Sequence, residues 1–140
     1  MSLSIGNGFF IREKITIGDI REIQKNNSSI QLTLWEKIKD FFFSTGKEEA
    51  YSCVAKLNNS LAELNSKEAT KNFLKLKSLA SEGHKNHFLE YGYHDNFCEK
   101  IKIFELKDDS WNTLIKFSYS SDGDFFSYQF LHINIKITNL

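Results

Sequence analysis

The most informative residues of this sequence are Leu34-Trp35-Glu36-Lys37-Ile38-Lys39-Asp40-Phe41-Phe42-Phe43. On a helical wheel of about 100° per residue, the apolar side chains before Phe43 fall within an arc of about 120°, and the charged side chains occupy the rest. The pattern predicts an aromatic amphipathic helix that packs against a core. Phe43 lies outside the apolar stripe, so it must contact a second element, a partner or water.

The residues that flank this stretch predict where the helix begins and ends. Thr33 and Glu36 have the spacing of a capping box, in which each side chain bonds a free backbone N–H of the first turn. Gly46 can adopt the left-handed conformation that ends many helices. The sequence therefore predicts a first helix between these two signals.

Two further helices are expected after the first. Apolar residues at helical spacing predict a second helix from about Lys47 to Leu64, with Thr45 and Glu48 as capping residues. Asn65-Ser66 predicts a turn and an N-cap, and the third helix that follows is expected to reach about Ser81. The sequence thus predicts three helices before a run of strands.

From Phe88 onward the sequence pattern is typical of β-strands separated by turns rich in Asp and Ser. Candidate strands lie near 87–92, 98–106, 111–118 and 125–137. The fold class is therefore α+β, with about three helices followed by and packed on an antiparallel meander of three to five strands. Because about 140 residues is a common size for one domain, we expect a single domain over 1–140.

The last candidate strand is apolar on both faces where it begins. Such a segment is either covered on both sides by its own domain or open to a partner, and a partner makes it a candidate binding surface. Together with the residue outside the helical stripe, the candidates for this surface are Phe43, Phe125, Phe126, Tyr128 and Phe130.

Charge and hydropathy exclude several classes of partner. The chain carries 18 Lys and Arg against 18 Asp and Glu, so no net field favours nucleic acid or an anionic membrane surface. No stretch approaches the roughly 18 apolar residues of a membrane span, and the first residues lack the pattern of a signal peptide. With two cysteines, a disulfide framework is not expected.

The residue types that carry catalysis or bind metals give no strong motif. His84, His87, His94 and Cys98 are of types that bind zinc, but their spacing is unlike the common zinc patterns. Neither cysteine is marked as a nucleophile by its neighbours. We therefore expect no metal, no cofactor and no catalysis. A small enzyme with a site built from these four residues is the alternative.

A resemblance to a known family does carry information. The residues Trp35, Glu36, Lys37, Ile38, Phe41 and Phe42 resemble the Trp-Glu-Lys-(Ile/Met)-x-x-Phe-Phe motif of a family of Salmonella type III secreted effectors. The segments 5–9, 41–47 and 76–80 are similar to the SifA-like amino-terminal domain of that family. This domain carries the signal for translocation, so the six motif residues are expected to carry it here. We expect secretion to read this helix in the unfolded chain.

The resemblance also implies a host partner. In SifA this domain binds the pleckstrin-homology domain of SKIP, a host adaptor of the kinesin pathway, and the contact includes a Leu-Met pair. An ungapped placement puts that pair at Ile137 and Thr138, which do not reproduce it, so the sequence argues against the same partner. The expected location is the host cell cytoplasm or the vacuole that contains the bacteria.

The functional expectation is a secreted type III effector that is translocated into host cells and binds a host protein without catalysis. Longer members of the family add a carboxy-terminal domain. This chain ends at Leu140, so it is either a complete short effector or one domain of a longer protein. A regulatory or chaperone-like module that stays in the bacterium is the other alternative.

Overall fold

In the computed structural model, which describes residues 2–5, 10–12, 28–94, 100–123 and 125–138, two short strands precede three α-helices and a run of five strands. The helices are α1 Ser28–Ile38, α2 Lys47–Ala62 and α3 Ser66–Leu79. The strands are β1 Ser2–Ile5, β2 Phe10–Arg12, β3 Phe88–His94, β4 Lys100–Lys107, β5 Thr113–Ser120, β6 Phe125–Phe130 and β7 Ile133–Thr138. The predicted α+β class is confirmed.

The described strands form one antiparallel sheet in the order β2-β1-β7-β6-β5-β4-β3. Strands β3 to β7 are neighbours in the order of the sequence, so the predicted meander is confirmed. The sheet is wider than the three to five strands predicted, because β1 and β2 extend it beyond β7. Leu3 is opposite Ile137 where β1 joins the meander.

The helices lie on one face of this sheet, and their contact is largely aromatic. The ring of Phe73 on α3 lies 5.5 to 5.8 Å from the rings of Phe88, Phe104 and Phe117, which belong to three adjacent strands. Phe104 and Phe117 are opposite each other in the β4–β5 register and stack at 4.9 Å. All four are buried, so this group forms the centre of the core.

The connection between α2 and α3 contains the N-cap that the sequence predicts. The side chain of Asn65 accepts a hydrogen bond from the backbone N–H of Glu68 at 3.1 Å, so the predicted N-cap is confirmed. Before it, Leu64 has a φ of 57°, and the N–H of Asn65 donates to the carbonyl of Ser60. This bond pattern is that of a Schellman motif, with a leucine in place of the usual glycine.

The predictions for the caps of the first two helices are wrong. α1 begins at Ser28, so Thr33 and Glu36 lie inside it and do not form its capping box. Gly46 has a φ of −105° and precedes α2 without any side-chain capping bond, so it is no left-handed terminator and Thr45 and Glu48 do not cap α2. Capping motifs depend on where the helix begins, and packing of α1 moves that start toward the amino terminus.

The last predicted strand is two strands. Phe130 is opposite Ile133, and Leu131 and His132 form a two-residue turn between β6 and β7, with a φ of 54° at Leu131. The core-facing residues are even-numbered in β6 and odd-numbered in β7. The segment has apolar residues at both even and odd positions because it contains two strands, of which β6 buries its even-numbered residues and β7 its odd-numbered residues.

Across the described parts of the chain, no helix is both long and apolar enough to cross a membrane.

A substitution at Gly92 on β3 tests how closely β3 and β4 approach each other. A Cβ at this position would collide with the carbonyl oxygen of Ile101, which is backbone and cannot move aside easily. We expect Gly92→Ala to lower the free energy of unfolding by about 1 to 3 kcal/mol, as overpacking does. Urea unfolding followed by circular dichroism measures this loss. Gly83→Ala is the matched control, because its Cβ would meet no atom within 4 Å, and an equal loss there would contradict the explanation.

Candidate functional site

The six residues of the motif lie where α1 ends and the chain turns toward α2. The helix stops at Ile38, a 3₁₀ turn spans Lys39–Phe41, and Phe42 is extended and forms an isolated β-bridge with Ala80. The prediction that one helix continues through Phe43 is therefore wrong. Because the backbone is extended at Phe42, this residue pairs with Ala80 instead of continuing the helix, and both Phe41 and Phe42 are buried.

The apolar residues of the motif are buried as predicted. Ile38, Phe41 and Phe42 are fully or almost fully buried, and Trp35 is half-buried against the same core. The rings of Trp35 and Phe42 stack at 5.9 Å, and the edge of Trp35 meets Tyr51 of α2 at 5.4 Å. The motif thus fixes α1 against α2 through an aromatic group.

Phe41 connects the motif to the link between α3 and the sheet. Its carbonyl oxygen accepts a hydrogen bond from the N–H of Ser81 at 2.8 Å. Its ring stacks on His84 at 4.6 Å and contacts the ring of His87 at 4.9 Å. The motif is consequently bound to a segment about forty residues further along the chain, so its conformation depends on the folded domain.

The charged residues of the motif face solvent. Glu36 and Lys37 are exposed, and Glu36 makes an ion pair of 2.7 Å with Lys39. The hydrogen bond to Glu36 raises the pKa of Lys39. Exposed pairs of this kind contribute little to stability, so Glu36 and Lys37 have no evident role in holding the fold.

The aromatic residues predicted as a partner surface do not form one surface. Phe126, Tyr128 and Phe130 point into the core and are at most 2 % exposed, so their inclusion in a surface is wrong. Phe125 is half-buried on the other face of β6, with the ammonium of Lys136 5.8 Å from its ring. Phe43 is 64 % exposed and is the member that a partner can reach.

Two of the four residues predicted for an alternative enzyme site come together. Nδ1 of His84 is 2.8 Å from Oγ of Ser81, and Nδ1 of His87 donates to the carbonyl of Lys107 at 2.9 Å. Both Nε2 atoms face one carboxylate oxygen of Asp109, at 4.0 and 3.7 Å. These contacts connect the 3₁₀ turn Lys85–His87 with the β4–β5 hairpin.

The other two residues of that predicted site do not add to this group. His94 ends β3 opposite Lys100, and Cys98 lies outside the described residues. Among the residues that the structure does describe, no group of three or more His, Cys, Asp or Glu side chains is arranged to hold a metal ion.

A buried polar network on the sheet was not predicted, because its members are dispersed in sequence. Glu105 is 6 % exposed and accepts hydrogen bonds from Tyr91 at 2.9 Å, from Lys107 and from Thr113. Burial alone would raise the pKa of Glu105, but these hydrogen bonds outweigh it and lower the pKa. Burial and the bond to Glu105 raise the pKa of Tyr91 to about 12. The network stabilises the charged carboxylate of Glu105.

One groove lies at the β3 edge of the sheet and has a volume of about 360 Å³. We call it the Gly92 groove, because Gly92 provides part of its floor. Its lining comes from α3, β3 and β4 and consists of Thr70, Leu74, Glu90, Tyr91, Gly92, Lys100, Ile101, Lys102, Ile103 and Phe104. The groove lies apart from the motif and from the two histidines.

With the fold and these groups described, comparison with known proteins identifies the family. Residues 1–135 match the family described as Sif protein. The chain belongs to the Sif family. The resemblance drawn from the motif and its flanking segments is thereby confirmed, whereas the role of the motif residues stays a prediction.

Two relatives of the Sif chain are secreted effectors of Salmonella typhimurium strain LT2. The secreted effector protein SifA is 31 % identical over 123 residues, which cover 87 % of this chain and 35 % of SifA. The secreted effector protein SseJ is 34 % identical over 90 residues, which cover 64 % of this chain and 22 % of SseJ. The chain thus spans about a third or less of the length of each relative.

Solved structures of a relative share the fold. The chain matches SifA in a crystal structure of SifA and SKIP with a TM-score of 0.65 and 28 % identity, over 80 % of this chain and 36 % of the other. It matches a crystal structure of the SifA–SKIP(PH) complex with a TM-score of 0.63 and 27 % identity, over 79 % and 35 % of the two chains. The Sif chain therefore has the fold of part of SifA.

Two adjacent phenylalanines, Phe42 at the end of the motif and Phe43 just after it, allow a direct test of the motif's role in stability. Phe42 is 4 % exposed and stacks on Trp35, whereas Phe43 is 64 % exposed. We expect Phe42→Ala to lower the free energy of unfolding by about 3 to 5 kcal/mol because it leaves a cavity. We expect Phe43→Ala to change it by less than about 0.5 kcal/mol. Urea unfolding of both variants measures the difference, and equal losses would contradict the placement of the two rings.

Proposed function

We propose that this protein is a type III effector that is translocated into host cells, where it binds a host protein and catalyses no reaction. The observation that carries this proposal is the match of residues 1–135 to the Sif family, whose relatives SifA and SseJ are secreted effectors. The proposed site of action is the host cytoplasm or the vacuole that contains the bacteria.

The motif is proposed to act as the translocation signal while the chain is unfolded. Burial of Ile38, Phe41 and Phe42 supports this timing, because a folded domain cannot present these side chains to the secretion machinery. The same residues then become part of the core after delivery. Each large side chain that is buried contributes roughly 1.5 to 3 kcal/mol, so folding competes with recognition of the motif.

A reporter fusion tests this role in infected cells. We expect wild-type protein to enter host cells from bacteria that have the secretion apparatus and not from bacteria that lack it. We expect Trp35→Ala and Phe42→Ala to reduce entry, because they remove side chains that the machinery reads. The control is Phe73→Ala, which removes a fully buried ring outside the motif and should destabilise the domain to a similar degree.

The control variant separates recognition from stability. Entry of Phe73→Ala at the wild-type level, with reduced entry of the two motif variants, would support a signal in the motif. Equal reduction in all three would contradict it, since stability alone would then explain the loss. Failure of the wild type to enter would overturn the effector function and favour a bacterial regulatory or chaperone-like module.

The host partner is proposed to contact the surface around Phe43 and to differ from SKIP. An exposed phenylalanine is a typical anchor for a protein partner, and this one lies beside the motif. The placement of the SifA contact pair puts its first residue at Ile137, which is fully buried between Leu3 and Phe126 in the sheet register. The burial of Ile137 supports a different contact in this chain.

Crosslinking in host cells tests the proposed surface. We expect wild-type protein to crosslink to a host protein, and Phe43→Ser to lose that crosslink because it removes the apolar anchor. Leu32→Ser is the matched control, because Leu32 is also an exposed apolar residue at 53 % exposure. Retention of the crosslink by Phe43→Ser, or loss with Leu32→Ser alone, would contradict the surface. Identification of SKIP as the crosslinked protein would contradict the inference of a different partner.

A further inference from the structure

The strand β3 ends the sheet on the side opposite to β2. Among the described residues, β3 pairs only with β4, so its outer edge has backbone N–H and C=O groups available. Natural edge strands are often shortened, bulged or covered to prevent pairing with another chain. β3 is instead seven residues long, and its register with β4 runs without a shift. It is therefore suited to accept a further strand.

The Gly92 groove lies directly along this edge. Gly92 must be glycine because any side chain would collide with Ile101, so the groove beside it stays open. Thr70 and Leu74 of α3 form one wall, and Leu74 is 38 % exposed. A strand added to β3 would therefore have space for the side chain that lies opposite Gly92.

The charged residues of the groove favour an acidic side chain on an added strand. Lys100 and Lys102 line the groove and are exposed, whereas the acidic residue of its lining, Glu90, is already paired with Lys77. Lys102 is opposite Gly92 in the β3–β4 register. An acidic side chain opposite Gly92 on an added strand would enter the groove on the side of these two lysines.

The sequence of β3 itself provides such a strand. We propose that β3 pairs antiparallel with β3 of a second copy of this chain around a twofold axis at Tyr91. In this register Tyr91 is opposite Tyr91 of the other copy, and Glu90 is opposite Gly92. In the single chain Glu90 makes an exposed ion pair of 3.5 Å with Lys77 of α3, and exposed pairs of this kind contribute little to stability. In the proposed dimer each Glu90 exchanges Lys77 for the Gly92 groove of the other copy, and symmetry forms the contact twice.

Neighbouring registers are less favourable. An axis at Glu90 would put two carboxylates opposite each other, which destabilises a strand pair. An axis at Gly92 would put two glycines opposite each other at the centre, where no side chains pack. The axis at Tyr91 instead pairs two tyrosines that are each 46 % exposed, and aromatic pairs stabilise antiparallel strands.

Sedimentation equilibrium of the purified 140-residue chain at low salt tests the proposal. We expect a monomer–dimer equilibrium for wild-type protein. Glu90→Lys should weaken the dimer about tenfold or more, because it places a lysine against Lys102 of the other copy. Lys102→Glu should weaken it similarly, because two acidic groups then meet. The double variant Glu90→Lys/Lys102→Glu should restore the dimer, since the two charges are exchanged.

The controls keep a folding defect apart from a loss of pairing. Glu82→Lys is the matched charge reversal, because Glu82 is an exposed residue paired with Lys85 away from the groove. Circular dichroism shows whether each variant is folded. A wild-type monomer at all concentrations would overturn the proposal. A dimer that neither single variant weakens, or that the double variant fails to restore, would also overturn it.

Discussion

The contact of Phe73 with three strands is the interaction on which the rest of the fold depends. Its ring touches an aromatic ring on each of β3, β4 and β5, so one side chain of α3 fixes both the distance and the direction of the helix over the sheet. Aromatic groups in edge-to-face contact prefer particular geometries as well as burial. α2 is then held by its hairpin with α3, and α1 is held by α2.

The aromatic motif connects the end of α1 to the end of α3. Phe42 bridges to Ala80 and Phe41 bonds Ser81, so the chain after α1 is attached to the chain after α3. His84, which stacks on Phe41, and His87, which contacts the same ring, extend the attachment to the β4–β5 hairpin through Asp109. A short segment therefore joins the helical layer to the sheet.

Periodicity predicted the parts of this fold that depend on local sequence. The stripes of α2 and α3, the cap at Asn65 and the order of the meander all follow from patterns that span a few residues. The end of α1 does not, because Phe42 leaves the helix to reach Ala80, a residue 38 positions away in the chain. A helical wheel for α1 predicts which residues are buried, but it does not predict that the backbone leaves the helical conformation after Ile38.

The predicted partner surface shows a second limit of the same kind. One long strand with apolar residues on both faces and two short strands, one burying even-numbered and one burying odd-numbered residues, have similar sequence patterns. Only the turn at Leu131 distinguishes the two arrangements. The change from even to odd apolar positions was a signal in the sequence that could have located this turn. The groups around Glu105 and Asp109 left no such signal, because tertiary contacts bring their members together.

The position of β1 has a consequence for the time at which the protein can fold. β1 leaves the ribosome about 130 residues before its neighbour β7. Closing so long a loop is entropically slow, and β1 and β2 have no place in the sheet until β7 is present. Until β7 is synthesised, the side of the sheet that β1 and β2 occupy therefore stays incomplete, and the apolar residues of that side lack their final neighbours.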